Sequence, residues 1–303
     1  MTTASPTAPA GTGFPAAFLA LCAGAVAMGI SPVFVRFSAG DVGPFASAFW
    51  RVALATPILF AWMRLEEAGA PAGPRRRFSP ASLLSGLAFA GDLFFWHLAI
   101  FNTTVANATF FSTTAPFFVI LVTWAGLRQA VPRATWLGLA CCMAGGAAIV
   151  GQSLQVDPAR LRGDGFGVAT AVFFGLYFLT VSRARETAGA ARVTFEASLV
   201  TAAVLLLVAL VFETHILPRT WQGAGALLAM AWVSHAGGQG LLVFALGRLP
   251  AVFSSLVIFL EALAAALFGW WLLAEPLTLP QALGGAGILV GIWIARPRPG
   301  AAS

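Results

Sequence analysis

The chain has no lysine, and charged residues of all kinds make up only 9% of its 303 positions. Soluble domains carry about 25% charged residues. With 59% hydrophobic residues and a mean hydropathy of +0.87, the chain has too little polar surface for a water-soluble fold. We therefore exclude a soluble domain and expect a membrane protein.

The chain is also poor in residues that catalyse reactions or bind metals. It has three His and three Cys, and the cysteines (Cys22, Cys141 and Cys142) fall within apolar segments without metal-ligand spacing. No HExxH, no pair of carboxylates at helical spacing and no Walker motif occurs. The sequence thus predicts no disulfide, no metal, no cofactor and no enzymatic activity. No soluble basic surface is expected either, so we predict no nucleic-acid partner.

Apolar segments fill most of the chain, and each approaches the 17 to 25 residues that a hydrocarbon core of about 30 Å requires. They predict an all-α membrane protein with ten transmembrane helices, near 14–35, 44–63, 80–101, 105–126, 133–151, 165–182, 194–212, 221–246, 251–273 and 278–295. Residues 1–13 are rich in Ala, Thr and Pro, and we expect a disordered tail there.

The orientation follows from the arginines, which are all 17 of the basic residues. Five of them are assigned to one side of the membrane, Arg36, Arg51, Arg160, Arg162 and Arg219, and the other 12 to the opposite side. Loops rich in basic residues face the cytoplasm. We therefore expect both termini in the cytoplasm of a bacterium, with the chain in its inner membrane.

The two halves of the chain resemble each other. A shift of 146 residues aligns Ala99 with Ala245, Trp124 with Trp270, Gly138 with Gly284 and Gly145 with Gly291. Each half, 14–151 and 164–295, would hold five helices, and an odd number forces the second half to cross the membrane in the opposite sense. The sequence therefore predicts two inverted five-helix repeats, an arrangement typical of secondary transporters.

Three stretches resemble a known family. "FFWHLAIFNTTVANATFFSTTAPFFVILVTWAGLRQAV" is similar to the third-to-fourth-helix hairpin of EamA-type members of the drug/metabolite transporter superfamily. "ALGRLPAVFSSLVIFLEALAAALFGWWLLAEPLTLPQALGGAGILVGIWIA" resembles the family's C-terminal helix pair, with Glu261 in the Leu-Glu of helix 9 and Glu275 after it. "SPVFVRFSAGDVGPFASAFWRVALA" resembles its first hairpin, with Arg51 at the start of helix 2.

The resemblance implies ten helices about a pseudo-twofold axis, a central cavity lined mainly by helices 3, 4, 8 and 9, and export of small molecules. The amino-acid exporter branch is the one we favour. Two positions depart from the family pattern. Gln129 replaces the usual Glu at the end of helix 4, and Ala262 replaces a common Pro, which suggests a straighter ninth helix.

Polar groups inside the predicted helices are the candidate site residues, because a charge at the bilayer centre costs about 2.5 to 3.5 kcal/mol and normally faces a cavity or partner. The candidates for substrate binding are Trp96, His97, Asn107, Trp232, His235, Gln239 and Glu261, and those for proton coupling are Glu261 and Asp92. For each of them, a satisfied interhelical hydrogen bond or a packing role is the alternative. Asn102, Thr103 and Thr104 are expected to form a turn.

Other residues predict features of the scaffold. Gly287 and Gly291, and likewise Gly138, Cys142 and Gly146, follow the spacing of closely packed helices and indicate scaffold or dimer contacts. Pro32, Pro57 and Pro116 are candidate bends.

The functional hypothesis is a secondary carrier that exports amino acids, hydrophobic or aromatic ones, by alternating access. The alternatives are a carrier for a drug, sugar phosphate or nucleotide sugar, or a channel-like facilitator. Because every Arg is expected at a span end, the sequence favours zwitterionic or apolar substrates over phosphorylated ones. The lipid bilayer and a small-molecule substrate are the expected partners, and both a monomer and a homodimer remain open.

Overall fold

The computed structural model describes residues 13–69, 78–103, 105–151, 161–273 and 277–297, with the side chains of 105–107 and 273 left aside. Throughout this described part the regular secondary structure is helical, and it contains no strand. Nine helices there are long and apolar enough to cross a membrane, and a tenth apolar helix is 17 residues long. The prediction of a ten-helix membrane protein is confirmed.

We number the spans in chain order. They are span 1 (Phe14–Ser38), span 2 (Pro44–Ala68), span 3 (Pro80–Asn102), span 4 (Ala108–Gly126), span 5 (Arg133–Val150), span 6 (Leu161–Arg185), span 7 (Ala190–Phe212), span 8 (Trp221–Leu246), span 9 (Ala251–Leu272) and span 10 (Leu279–Ala295). Spans 3, 5, 6, 7 and 10 are continuous α-helices with these bounds.

The other five spans are interrupted. Span 1 consists of Phe14–Gly29 and Ser31–Ser38, span 2 of Pro44–Ala53 and Thr56–Ala68, and span 9 of Ala251–Val257 and Phe259–Leu273. Span 4 lies within three consecutive pieces, Val105–Thr113, Ala115–Leu121 and a π-helical turn, Val122–Gly126. Span 8 consists of the α-helix Trp221–Ala229, the π-helical segment Met230–Gln239 and the α-helix Gly240–Leu246.

Proline explains three of the interruptions. Pro32, Pro57 and Pro116 each lie in the first turn of the helical piece that follows a break. A proline offers no N–H to the preceding turn, and its ring pushes away the carbonyl four residues earlier. The predicted bends at these prolines are confirmed.

Span 9 breaks without a proline, at Ile258. The hydroxyl of Ser255 donates to the carbonyl of Val252 at 2.9 Å, and the amide of Glu261 donates to Ile258 only three residues back, at 2.8 Å. Side-chain hydroxyls that bond to backbone carbonyls in this way often bend helices. The expectation of a straighter ninth helix from Ala262 is therefore wrong.

The packing of the spans follows the inverted repeat. Span 3 packs on span 6, and the equivalent span 8 packs on span 1; span 4 packs on span 6, and span 9 on span 1. Spans 2 and 7 pack on each other, as do spans 5 and 10. Each of these pairings maps onto another, or onto itself, when five is added to the span number. Spans 4 and 9 also pack on each other. Three pairs, 2 with 7, 4 with 9 and 5 with 10, therefore cross the pseudo-twofold axis.

Glycine brings spans 5 and 10 together. A Cβ atom added to Gly138 or Gly145 would lie closer than 3.0 Å to the backbone oxygen of Gly291 or Gly284. Cys142 lies between Gly138 and Gly145 along span 5, and its thiol is 3.6 Å from the carbonyl oxygen of Ile288 in span 10. Such close backbone approach is how small residues hold membrane helices together. The predicted scaffold role of this glycine face is confirmed within one chain.

We expect Gly145→Ala to lower the apparent melting temperature in detergent, because the added methyl group would meet the backbone of span 10. Overpacking of this kind costs about 1 to 3 kcal/mol. The matched control is Gly165→Ala, because a Cβ there meets nothing within 4 Å. An equal effect of the two substitutions would contradict the proposed packing of spans 5 and 10.

Candidate functional site

A small cavity with charged walls lies in the centre of the bundle. Its volume is about 30 Å³, and it is lined by Met28, Arg51, Asp92, Leu93, Trp96, Ser112, Phe174, Gln239 and Glu261. These residues come from spans 1, 2, 3, 4, 6, 8 and 9, so both halves of the chain contribute. Room for about two water molecules is too little for an amino acid. Substrate binding at this point therefore requires the spans to separate.

Arg51 supplies the positive charge of the cavity. It lies in the second turn of span 2 and is only 5% exposed. Its guanidinium lies over the ring of Trp96, 5.7 Å from the centroid, and its Nε is buried without a hydrogen-bond partner. The expectation that every Arg lies at a span end is therefore wrong, because span 2 already begins at Pro44.

Two carboxyl groups share the cavity with Arg51. Asp92 comes from span 3 and is 7% exposed, and Glu261 comes from span 9, just after the break at Ile258. Among the described residues, neither carboxyl forms a hydrogen bond or lies within 4.0 Å of a basic nitrogen. The guanidinium and the two carboxyl groups thus line one cavity without being locked into ion pairs.

Gln239 completes the polar wall from span 8. It ends the π-helical segment Met230–Gln239, and its Oε1 is buried without a partner. A π-helical segment contains an extra residue per turn, and such segments are frequent at functional sites. Together, Gln239 and Arg51 leave one acceptor and one donor unsatisfied beside the cavity. Unpaired buried polar atoms of this kind are available to a ligand.

The two candidate histidines lie beside this cavity rather than in its wall. His97 is fully buried; its Nδ1 donates to the carbonyl of Leu93 at 2.7 Å, and its Nε2 has no partner. His235 shares a hydrogen bond of 2.9 Å with Ser198 through Nε2, and its ring stacks on Phe89 at 5.4 Å. Each ring therefore has one engaged nitrogen, and contact with substrate stays a prediction.

The structure separates the two candidate tryptophans. Trp96 is buried and lines the cavity, whereas Trp232 is 49% exposed and lies outside the cavity wall. The Nε1 of Trp232 donates to the carbonyl of Leu54, at the break in span 2, at 3.3 Å. Asn107 lies outside the residues whose side chains are described. For these residues too, a role in substrate binding remains a prediction.

Arg51 and Ser112 are the polar residues of the cavity wall that the sequence did not identify as site residues. Arg51 stands eight positions into the predicted span 44–63, which already indicated a buried position. The orientation argument obscured this position of Arg51, because it assigned every Arg to a loop on one side of the membrane. Nothing in the sequence marks Ser112 as a site residue. Its hydroxyl bonds to the carbonyl of Thr109, as the hydroxyls of many helical serines do.

Ten helices in an inverted repeat, with a small polar cavity between the halves, are the architecture of a membrane transporter. The model of the EamA-like transporter family matches residues 15–151 and 161–296. The chain belongs to the EamA-like transporter family, as its hairpins indicated.

The chain is also similar to individual proteins. The pseudopaline exporter CntI of two Pseudomonas aeruginosa strains, UCBPP-PA14 and ATCC 15692, is 28% identical over 259 residues, which cover 83% of this chain and 86% of the exporter. A solved crystal structure superposes with a TM-score of 0.80 over 93% of this chain and 97% of that chain. Its sequence identity is 17%, so this likeness concerns the fold alone.

We expect Arg51→Met to destabilise the protein, because Asp92 and Glu261 would be left together without a cation. Removing one partner from a buried charge group costs about 3 to 5 kcal/mol. Adding Glu261→Gln should restore part of the loss, because it removes one of the two negative charges. Thermal unfolding in detergent measures both effects.

The control for these two variants is Arg248→Met. Arg248 is exposed, and its guanidinium carbon lies over the ring of Phe244, 4.0 Å from the centroid. We expect it to change stability by less than about 1 kcal/mol. If Arg51→Met were no more destabilising than this control, the electrostatic role of Arg51 would be refuted.

Proposed function

We propose that the protein is a secondary carrier that exports a small zwitterionic metabolite, an amino acid or a related compound, by alternating access. The observation that supports this best is the charge pattern of the cavity, with one guanidinium and two carboxyl groups around a volume closed to substrate. A zwitterion carries the complementary pattern, one carboxylate and one ammonium. The similarity to a pseudopaline exporter supports export of a small metabolite.

Each group in the cavity has a role in this proposal. Arg51 binds the substrate carboxylate, because a guanidinium offers paired donors in the geometry of a carboxylate. Asp92 or Glu261 binds the ammonium, and Gln239 accepts a further hydrogen bond. The remaining wall, with Trp96, Leu93, Phe174 and Met28, is apolar and suits a hydrophobic or aromatic side chain.

Arg51 reopens the question of phosphorylated substrates, because the sequence argument against them relied on the absence of a cavity Arg. The charge balance still disfavours them. The cavity wall holds one guanidinium beside two acidic side chains, whereas a phosphate monoester carries about two negative charges and would be repelled by any ionised carboxylate. We therefore retain zwitterions as the favoured class, with sugar phosphates and nucleotide sugars as alternatives for the assay.

The excess carboxylate also supports coupling to protons. With Arg51 matched by one carboxylate, the second needs a cation, and either a proton or the substrate ammonium can supply it. Proton and substrate then compete for Asp92 or Glu261, so that release of one accompanies binding of the other. We propose proton antiport on this basis, in a bacterial inner membrane with both termini in the cytoplasm.

Counterflow in liposomes tests the carrier function. Vesicles loaded with unlabelled amino acids should take up labelled hydrophobic or aromatic amino acids in a saturable way, because counterflow requires a carrier rather than a pore. Sugar phosphates and nucleotides serve as controls. Uptake of a phosphorylated control without uptake of any amino acid would refute the proposed substrate class and leave the family assignment intact.

Glu261→Gln should abolish transport or remove its pH dependence, because the neutral amide cannot exchange a proton. The protein should still insert and remain monodisperse in detergent. Glu186→Gln is the matched control, since Glu186 pairs with Arg183 at the exposed end of span 6. Transport rates and a pH profile equal to those of the unmodified protein would exclude proton coupling through Glu261.

Arg51→Gln should reduce the preference for an amino acid over its decarboxylated amine. Loss of a hydrogen bond to a charged group costs about 1.5 to 3 kcal/mol, so the preference should fall at least about tenfold. Competition between phenylalanine and phenethylamine in counterflow measures this ratio. A preference that survives the substitution would show that Arg51 does not bind the carboxylate.

A further inference from the structure

Two glutamates outside the cavity join spans 2 and 7 at their opposite ends. Glu213, directly after span 7, accepts hydrogen bonds from the amides of Phe45 (2.6 Å) and Ala46 (3.1 Å), in the first turn of span 2. Glu66, near the end of span 2, accepts from the amides of Ala191 (3.1 Å) and Arg192 (3.4 Å), in the first turn of span 7. Each span therefore carries the carboxylate that caps the other.

The two contacts are equivalent under the repeat. The shift of 146 residues relates Gly43 to Gly189, Phe45 to Ala191 and Ala46 to Arg192, and a shift of one residue more relates Glu66 to Glu213. Both sets of amides occupy the second and third positions of their helix. A helix leaves these N–H groups without intrahelical partners, and a carboxylate there is favoured by the helix dipole.

Glycine makes room for each carboxylate. Gly43 and Gly189 are the residues that precede the two helices, and neither offers a side-chain cap. Both have negative φ, −73° and −64°, so the backbone conformation alone does not require glycine. A Cβ added at either one would, however, lie closer than 3.0 Å to the carboxyl group of the opposing glutamate. The space, rather than the conformation, is what glycine provides.

Spans 2 and 7 differ from spans 5 and 10, another pair on the pseudo-twofold axis. Spans 5 and 10 are joined through close glycine packing between their backbones, and their separation would lose van der Waals contacts along the whole face. The end contacts of spans 2 and 7 are polar and lie at the ends of the bundle, where water can replace a broken hydrogen bond at low net cost. Span 2 also carries Arg51.

We infer that Glu66 and Glu213 are the two gating residues of the carrier, each holding one end of span 2 closed over the cavity. Opening of the Glu213 contact exposes Arg51 and the cavity to one side of the membrane, and opening of the Glu66 contact exposes them to the other. In the present structure both contacts are formed, in agreement with a cavity too small for substrate. The inference rests on alternating access, part of the proposed function.

Each end has a second link between spans 2 and 7. At the Glu66 end, Arg192 also pairs with Glu67 and with the buried Glu196. At the Glu213 end, the Nε1 of Trp50 in span 2 donates to the carbonyl of Ile216, just after span 7, at 2.7 Å. We therefore expect the loss of either glutamate to have an effect of similar size.

Accessibility of the cavity to a thiol reagent tests this inference. Ser112→Cys places a thiol in the cavity wall, in a background where the partly exposed Cys22 and Cys141 are replaced by Ser and the buried Cys142 is retained. A membrane-impermeant maleimide is applied to right-side-out and to inside-out membrane vesicles. The rate of labelling from each face then reports which end of the cavity opens.

Glu213→Ala should raise labelling from one face about tenfold, the factor expected from losing hydrogen bonds to a charged group, without raising it from the other. Glu66→Ala should raise labelling from the opposite face by a similar factor. Glu186→Ala, at an exposed ion pair, should change neither rate. The opposite sidedness of the two variants is the distinguishing result.

Equal changes at both faces, or none, would overturn the inference and make the two contacts static braces. If an alanine variant fails to fold, Gly43→Ala and Gly189→Ala test the same contacts, because their methyl groups displace the carboxylates without removing them. They should show the same sidedness. Labelling needs no substrate, so it tests the gates independently of the proposed substrate class. If the two variants raise labelling from opposite faces but no amino acid shows counterflow, the proposed substrate is rejected and the gating role of Glu66 and Glu213 is kept. If amino acids show counterflow but the variants do not differ in the labelled face, the gating role alone is rejected.

Discussion

Arg51 brings a permanent positive charge into the apolar centre of the bundle, where a cation without anions nearby costs several kcal/mol. Asp92 and Glu261 meet this requirement from spans 3 and 9, and the face of Trp96 adds an attractive contact. Two neighbouring spans, 2 and 3, and the distant span 9 must therefore come together around this charge. These three side chains line the cavity together without closing into ion pairs.

The scaffold around this site is symmetric, but the site is not. The repeat places Ala197 opposite Arg51, Gly238 opposite Asp92 and Ala115 opposite Glu261, so none of the charges is duplicated. The helix pairings and the capped ends of spans 2 and 7, in contrast, follow the repeat. Under the proposed alternating access, a symmetric scaffold would give the two sides of the membrane equivalent routes to the cavity, and an asymmetric site would need to recognise only one kind of substrate.

Local chemistry explains which parts of the fold were predictable. The ten spans, the bends before Pro32, Pro57 and Pro116, and the glycine contact of spans 5 and 10 each depend on residue types within a short stretch. The break at Ile258 is marked locally only by Ser255, whose hydroxyl bonds to the carbonyl of Val252, a bond that many helical serines form. The π-helical segment of span 8 has no local mark. Glu261 follows the first of these irregularities and Gln239 ends the second.

The sequence by itself determined that the chain is a ten-helix inverted repeat, because hydrophobic length and odd helix number act on each segment without reference to its neighbours. It also marked Asp92, Gln239 and Glu261 as polar residues at membrane depth. Only the tertiary structure decided that Arg51 is buried with them, that His97 and His235 lie beside the cavity, and that Glu66 and Glu213 cap spans 7 and 2. Those facts depend on contacts between different spans, some of them between residues more than a hundred positions apart, and packing alone establishes such contacts.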